Sequence, residues 1–202
     1  MVITFHLPKI GRALLAGLAV GHAALATPPS ENNVSWTVGS LEVHGSLALP
    51  ETDAKAGIIL LAGSGPTDRN WETRASPGTN GTARELATLL TQSGIASIRY
   101  DKLGSGKTGL PKTFSEDGFE YRLKDYLNET LGAVAVLERT LKPGTPLFLA
   151  GHSEGGLWAL EAYRRHPDRF DGIVLMATAG RSQCTVVQEQ LHKAMLDYGI
   201  DE

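Results

Sequence analysis

The ten residues Leu147 to Gly156, Leu-Phe-Leu-Ala-Gly-His-Ser-Glu-Gly-Gly, restrict the fold of this chain more than any other stretch. A short apolar run bounded by glycine reads as a buried strand, and the residues after it read as the start of a helix. Between the two lies Gly151-His152-Ser153-Glu154-Gly155, a G-x-S-x-G pattern that places a serine on a sharp strand-to-helix turn. The residue types suit that geometry. A tight turn holds the serine hydroxyl clear of the backbone, and glycines two positions to either side let strand and helix pass closely. The N–H after the serine then faces any negative charge that develops at the hydroxyl's target. Glycine and serine are common, so the same five residues also describe an ordinary glycine-rich turn. The flanking sequence decides between the two.

That flanking sequence alternates short apolar runs with helical patterns. Val34–Val38 and Leu41–Pro50 alternate apolar and polar residues across Gly39-Ser40, as a half-exposed antiparallel hairpin does. His44 on the second of these reads as a surface histidine. Gly57–Ala62 is continuously apolar, the mark of a strand buried on both faces, and runs into a loop, Gly63-Ser64-Gly65-Pro66-Thr67-Asp68-Arg69-Asn70. A helix is predicted over Thr82–Gln92, a buried strand over Ile95–Asp101, and a long helix over residues 120–142. In the long helix Leu123, Leu127, Leu131, Val134, Leu137 and Leu141 recur at three- and four-residue steps, a core-facing stripe. After the serine turn come a helix over Glu154–Arg165 stopped near His166-Pro167, a strand over Asp171–Ala177, and a helix over Gln183–Leu196. The order predicts an α/β fold with a mostly parallel sheet and antiparallel N-terminal strands.

The segment Lys102-Leu103-Gly104-Ser105-Gly106-Lys107-Thr108-Gly109 imitates two nucleotide-binding motifs. A phosphate loop requires glycine where this chain has Asp101, and a carboxylate there repels phosphate. Gly104, Gly106 and Gly109 match G-x-G-x-x-G, but Leu110-Pro111-Lys112 follows instead of a helix whose N-terminus would meet a pyrophosphate. Nucleotide binding is therefore not expected. A formal net charge of −3 with no Lys/Arg block gives no footprint for nucleic acid either. The single cysteine, Cys184, excludes an intramolecular disulfide and a cysteine metal site, and it reads as an ordinary residue.

At the N-terminus, Lys9 and Arg12 precede the apolar run Ala13–Val20, and Ala24-Leu25-Ala26 ends it before Thr27-Pro28-Pro29. This is the order of a secretory signal peptide, and it predicts cleavage near Ala26 and a secreted or periplasmic mature chain. The run is short and broken by Gly21 and His22, so a cleaved leader is favoured over an anchor, with no membrane attachment afterwards. The expected organisation is a signal peptide at 1–26, an α/β core at 27–182, and the first helix of a cap or lid at 183–202. With 202 residues, 42% of them hydrophobic, one sizeable core fits and two do not.

Four stretches, in order, resemble the N-terminal part of an α/β-hydrolase of the bacterial esterase and serine-aminopeptidase-like branch. Leu61–Asn70 is similar to an esterase oxyanion loop, and Arg99–Thr108 to the strand-end turn of such enzymes, which accounts for the phosphate-loop imitation. Gly151–Gly155 is similar to the nucleophile turn, and His166–Met176 to the helix stop and the strand beyond it. Together they cover roughly residues 31–180. The resemblance implies a serine hydrolase acting on a small ester or an N-terminal peptide bond through an acyl-enzyme. Ser153 would be the nucleophile, and the N–H groups of Glu154 and of Ser64 or Gly65 the oxyanion hole, with Asp68 and Arg69 bracing that loop. It implies no metal and no organic cofactor.

The sequence departs from the family pattern at Ala62, where many relatives carry histidine, and at Leu103, where arginine is usual. A larger departure concerns the acid and the histidine that follow the nucleophile in this fold. No strand follows Asp171–Ala177, so the sheet is expected to stop after its sixth strand, without a triad acid or base in this chain. His166 lies 13 residues past Ser153 along a helix, about 20 Å away. His192 lies on the cap helix. His152 adjoins the serine, but neighbours on a turn face apart, and Asp168 and Asp171 belong to the helix-stop turn. The alternative expectation is therefore a catalytically silent α/β-hydrolase module, self-associating through an uncovered sheet edge.

Overall fold

Leucine, isoleucine and alanine run without a polar break only where both faces of a strand are covered, and the central strands of this protein are built that way. The computed structural model describes residues 2–4, 31–73, 80–110 and 123–199. Among the described residues, seven strands form one mixed sheet: β1 (Val2–Thr4), β2 (Glu31–Val38), β3 (Leu41–Ala48), β4 (Ala56–Leu61), β5 (Ile95–Tyr100), β6 (Leu147–His152) and β7 (Gly172–Met176). Their order across the sheet is β1-β7-β6-β4-β5-β3-β2. Strands β4, β5, β6 and β7 are parallel neighbours, and β2 and β3 form the antiparallel hairpin predicted from their alternation. This is the α/β arrangement expected from the sequence, a mostly parallel sheet with antiparallel N-terminal strands.

Helices cover the sheet from both sides. Helix α1 (Thr82–Gln92) packs on one face, while α2 (Leu123–Thr140) and α3 (Gly155–Arg165) share the other. Alternation along β4 supplies both cores. Ile59 and Leu61 join Leu127, Val134, Leu137, Leu149, Ala159 and Ala162, while Ile58 and Leu60 join Ala48, Ala87 and Ala150. The α2 stripe is core as predicted: Leu127, Val134 and Leu137 are buried, and Leu131 and Leu141 pack against them. Each fully buried leucine contributes about 2 kcal/mol of burial free energy. The predicted helix start at residue 120 lies outside the described residues.

At the N-terminal end, Val2–Thr4 pairs antiparallel with β7, Val2 opposite Met176 and Thr4 opposite Val174. With these residues in place, β1 lies along Val174–Met176 and its backbone groups pair with that part of β7. The rest of the predicted leader, residues 5–26, lies outside the described residues. At the other end, α4 (Gln183–Asp197) carries exposed Val187, Leu191, Met195 and Leu196. Among the described residues, no helix is long and apolar enough to cross a membrane.

Candidate functional site

The serine turn forms where β6 hands over to α3, and its backbone is forced. Ser153 has φ 53°, a left-handed conformation that costs a non-glycine residue on the order of 1 kcal/mol. Its N–H donates to the Met176 carbonyl at 2.8 Å, and its own carbonyl accepts from Gly156 N–H at 3.1 Å. The turn is therefore held by the end of β7 on one side and by the first turn of α3 on the other. The close approach expected of the flanking glycines is present. A Cβ on Gly151 would lie 2.3 Å from the Gly155 carbonyl carbon, and one on Gly155 would lie 2.4 Å from the Leu61 carbonyl oxygen. Strand, helix and the end of β4 meet at these two residues with no room for a side chain.

The loop after β4 reaches over this turn. A Cβ on Gly63 would stand 3.3 Å from Ser153 Cβ and 3.2 Å from His152 Nδ1, so the loop backbone touches the elbow. Beside it, the backbone N–H groups of Ser64, Gly65 and Glu154 find no acceptor among the described residues. Ser153, His152 and Glu154 are half-buried, and Ser64 and Gly65 are exposed. Ala62, one of the two residues noted as departures in the sequence, is buried at the base of the loop.

Asp68 and Arg69 brace the loop by different means. Asp68 Oδ1 accepts the N–H groups of Asn70 at 2.8 Å and Glu72 at 3.0 Å, closing a local turn. Arg69 reaches across to Asp101: Nη2 donates to Oδ2 at 2.7 Å and Nε to Oδ1 at 3.1 Å, while Nη1 donates to the Gly45 carbonyl at 2.7 Å. The Arg69 N–H also donates to Asp101 Oδ1 at 2.8 Å. Burial works to raise the Asp101 carboxyl, but the Arg69 bonds and the N–H groups of Lys107 and Arg69 outweigh it and hold it below the usual aspartate range.

The phosphate-loop imitation has a structural explanation in the same carboxylate. Asp101 turns into its own glycine turn and accepts Lys107 N–H at 2.8 Å. A Cβ on Gly106 would come 2.2 Å from Asp101 Cγ, so the turn is wrapped around an internal carboxylate. The space an external phosphate would need is occupied.

Several residues at this site were not singled out from the sequence. Trp71, also left-handed at φ 65°, stacks on His152 with ring centroids 5.3 Å apart. Arg99, buried on β5, donates to Glu31 at 2.8 Å and to Asn70 at 3.3 Å, tying the loop to β2. Burial pushes the Arg99 guanidinium down, and Glu31 opposes that shift. Lys102, buried directly after Asp101, donates to the Gly63 carbonyl. Only the tertiary fold brings these side chains to the loop. A sequence signal existed in Arg99-Tyr100-Asp101-Lys102, but it did not assign their partners.

The remaining candidates lie where the sequence spacing put them. His166 caps the C-terminal end of α3, donating its N–H to the Ala162 carbonyl. His192 is exposed on α4, and His44 lies on β3, 3.9 Å from Glu42. Asp168 sits in the short 3-10 turn Pro167–Arg169, and the Asp171 carboxylate accepts Leu147 N–H at 2.9 Å, at the start of β6. Among the described residues, no histidine or carboxylate forms a hydrogen bond with the Ser153 hydroxyl, and no group of three His, Cys, Asp or Glu could hold a metal ion.

The chain is similar to known hydrolases. The family model described as serine aminopeptidase, S33 matches residues 79–198. A monoglyceride lipase homolog of monkeypox virus is 29% identical over 128 residues, covering 63% of this chain and 40% of the viral protein. Among solved structures, the α/β hydrolase GrgF from Penicillium sp. sh18 superposes with a TM-score of 0.58 at 17% identity, over 84% of this chain and 54% of its own. A thermostable carboxyl esterase from Bacillus coagulans gives 0.57 at 19% identity, over 84% of this chain and 51% of its own. The chain thus spans about half the length of these hydrolases.

Proposed function

Because the chain belongs to the serine aminopeptidase (S33) family of α/β-hydrolases, we propose that it presents the nucleophile of a serine hydrolase acting on small carboxylic esters. Ser153 Oγ is the nucleophile: it attacks the ester carbonyl, the ester C–O bond breaks and the alcohol leaves with the serine proton. Water then cleaves the acyl-enzyme to release the carboxylic acid and restore the serine hydroxyl. The N–H groups of Glu154 and of Ser64 or Gly65 receive the oxyanion. The observation that supports this reading is the strained Ser153 turn lying against a loop whose N–H donors find no acceptor among the described residues. A fluorophosphonate probe tests it. The parent chain is expected to be labelled and Ser153→Ala not; equal labelling of the two removes Ser153 from the role.

A second reading, a module that builds the turn without turning over substrate, is favoured by one observation. Among the described residues no base or acid is bonded to the Ser153 hydroxyl. An alcohol without a base is a weak nucleophile, and the oxyanion donors alone give only a residual rate. Turnover of p-nitrophenyl acetate by the chain, lost in Ser153→Ala, rules this reading out.

Export is proposed from the N-terminal pattern. Cleavage near Ala26 would remove β1 and leave β7 as the sheet edge. N-terminal sequencing of the mature protein is expected to begin near Thr27, and a retained Met1 would end the proposal.

A further inference from the structure

Lys102 is 4% exposed, yet it carries an ammonium group. Burying such a charge costs several kcal/mol unless it is well partnered. Its bonded partner is the carbonyl oxygen of Gly63, to which Nζ donates. That carbonyl belongs to the peptide joining Gly63 to Ser64, and every described peptide is trans. In a planar trans peptide the C=O and N–H point in opposite directions. Fixing the Gly63 oxygen therefore fixes the direction of the Ser64 N–H.

The position of this peptide gives the constraint its meaning. Gly63 is in contact with the elbow, 3.3 Å from Ser153 Cβ when measured from an added Cβ. The far side of Ser64 is tied to the same turn. The Ser64 carbonyl accepts Thr67 Oγ1 at 2.8 Å, the Thr67 carbonyl accepts Ser105 Oγ at 2.9 Å, and Ser105 N–H donates to the Lys102 carbonyl at 2.9 Å. Ser64 is thus gripped on both sides by the turn that begins at Lys102. A cationic donor also does what a neutral one does not: it polarises the amide and makes the Ser64 N–H a stronger donor. Burial pushes the Lys102 ammonium below the usual lysine range, and the carboxylates of Glu154 and Glu129 oppose that shift.

We propose that Lys102 is a positioning residue for the oxyanion hole, acting through the Gly63–Ser64 peptide to aim and strengthen the Ser64 N–H. The proposal rests on the serine-hydrolase reading and deepens it by choosing Ser64 as the loop donor. Three measurements on the full chain test it: the Ser64 amide resonance in 15N-labelled protein, kcat and KM on p-nitrophenyl acetate, and the melting temperature. Lys102→Met is expected to shift the Ser64 amide resonance and to lower kcat on the order of 10²-fold with KM little changed, because a misaimed donor weakens only the transition state. Lys102→Gln keeps a neutral donor and is expected to recover part of both effects; it also serves if Lys102→Met does not fold. An unmoved Ser64 resonance, or an unchanged kcat in a chain whose turnover depends on Ser153, overturns the proposal. If the parent turns over no faster than Ser153→Ala, the hydrolase reading fails by itself, and the Ser64 resonance still decides whether Lys102 sets this peptide.

Discussion

Substituting Gly155 by alanine tests whether the junction of β4, β6 and α3 is as tight as it looks. The new Cβ would lie 2.4 Å from the Leu61 carbonyl oxygen and 2.6 Å from that of Ala62. An ordinary carbon–oxygen contact is about 3.3 Å, so the end of β4 and the start of α3 must separate by about 0.9 Å. The opposing atoms are backbone, fixed by the β4–β6 ladder at Leu61 opposite Gly151, and cannot rotate away as a side chain would. Overpacking of this kind costs about 3 kcal/mol, the upper part of its usual range. For a domain of this size that lowers the melting temperature by about 6–12 °C. The displaced residues lead straight into Gly63, so the loop moves off Ser153, and a shift near 1 Å lowers Ser153-dependent turnover on the order of 10²-fold. Thermal unfolding of Gly155→Ala, the parent and Gly180→Ala provides the comparison. Nothing lies within 4 Å of a Cβ at Gly180, so that control should melt with the parent. If Gly155→Ala melts with them too, the close-approach argument is wrong.

Other perturbations address the loop and the elbow separately. Asp101→Asn removes the carboxylate that clamps Arg69, and the folded protein should lose about 3 kcal/mol at neutral pH. Because the folded-state Asp101 carboxyl lies below the ordinary value near 3.9, its stabilisation is complete above that pH and is lost as pH falls through the folded value. Urea midpoints should therefore differ by a constant amount from pH 7 to 5 and converge below about pH 4; a gap independent of pH would contradict the clamp. Ser153→Gly should melt above Ser153→Ala by an amount corresponding to about 1 kcal/mol, since only glycine adopts the left-handed turn without strain, and equal melting would mean the turn is unstrained. Glu31→Gln leaves the Arg99 guanidinium buried without its carboxylate. Glu31 is partly exposed, so a loss of about 2 kcal/mol is expected in urea titrations, and no loss would show that Asn70 alone satisfies Arg99.

The secondary structure was legible because its signals are local. Unbroken apolar runs gave β4, β6 and β7, and the leucine stripe gave α2, since burial on both faces or on one stripe leaves a pattern in the sequence itself. The glycine spacing around Ser153 gave the elbow for the same reason: a close crossing excludes a Cβ at the positions where chains touch. The carboxylate at position 101 is a local signal against a phosphate loop, since it would repel phosphate. Its use was not legible, since Asp101 bonds Arg69, 32 residues earlier in the chain.

Sequence alone therefore determined the class of fold, the strand order along the chain, and a serine held on a forced turn. The tertiary structure decided what surrounds that serine. Lys102 on the Gly63 carbonyl, Arg99 on Glu31 and Trp71 over His152 join segments distant in sequence, and no local periodicity encodes such pairs. It also decided the sheet edge, where Val2–Thr4 pairs with β7. Backbone hydrogen bonding is available to any extended segment within reach, so a pairing of this kind depends on proximity rather than on side-chain pattern.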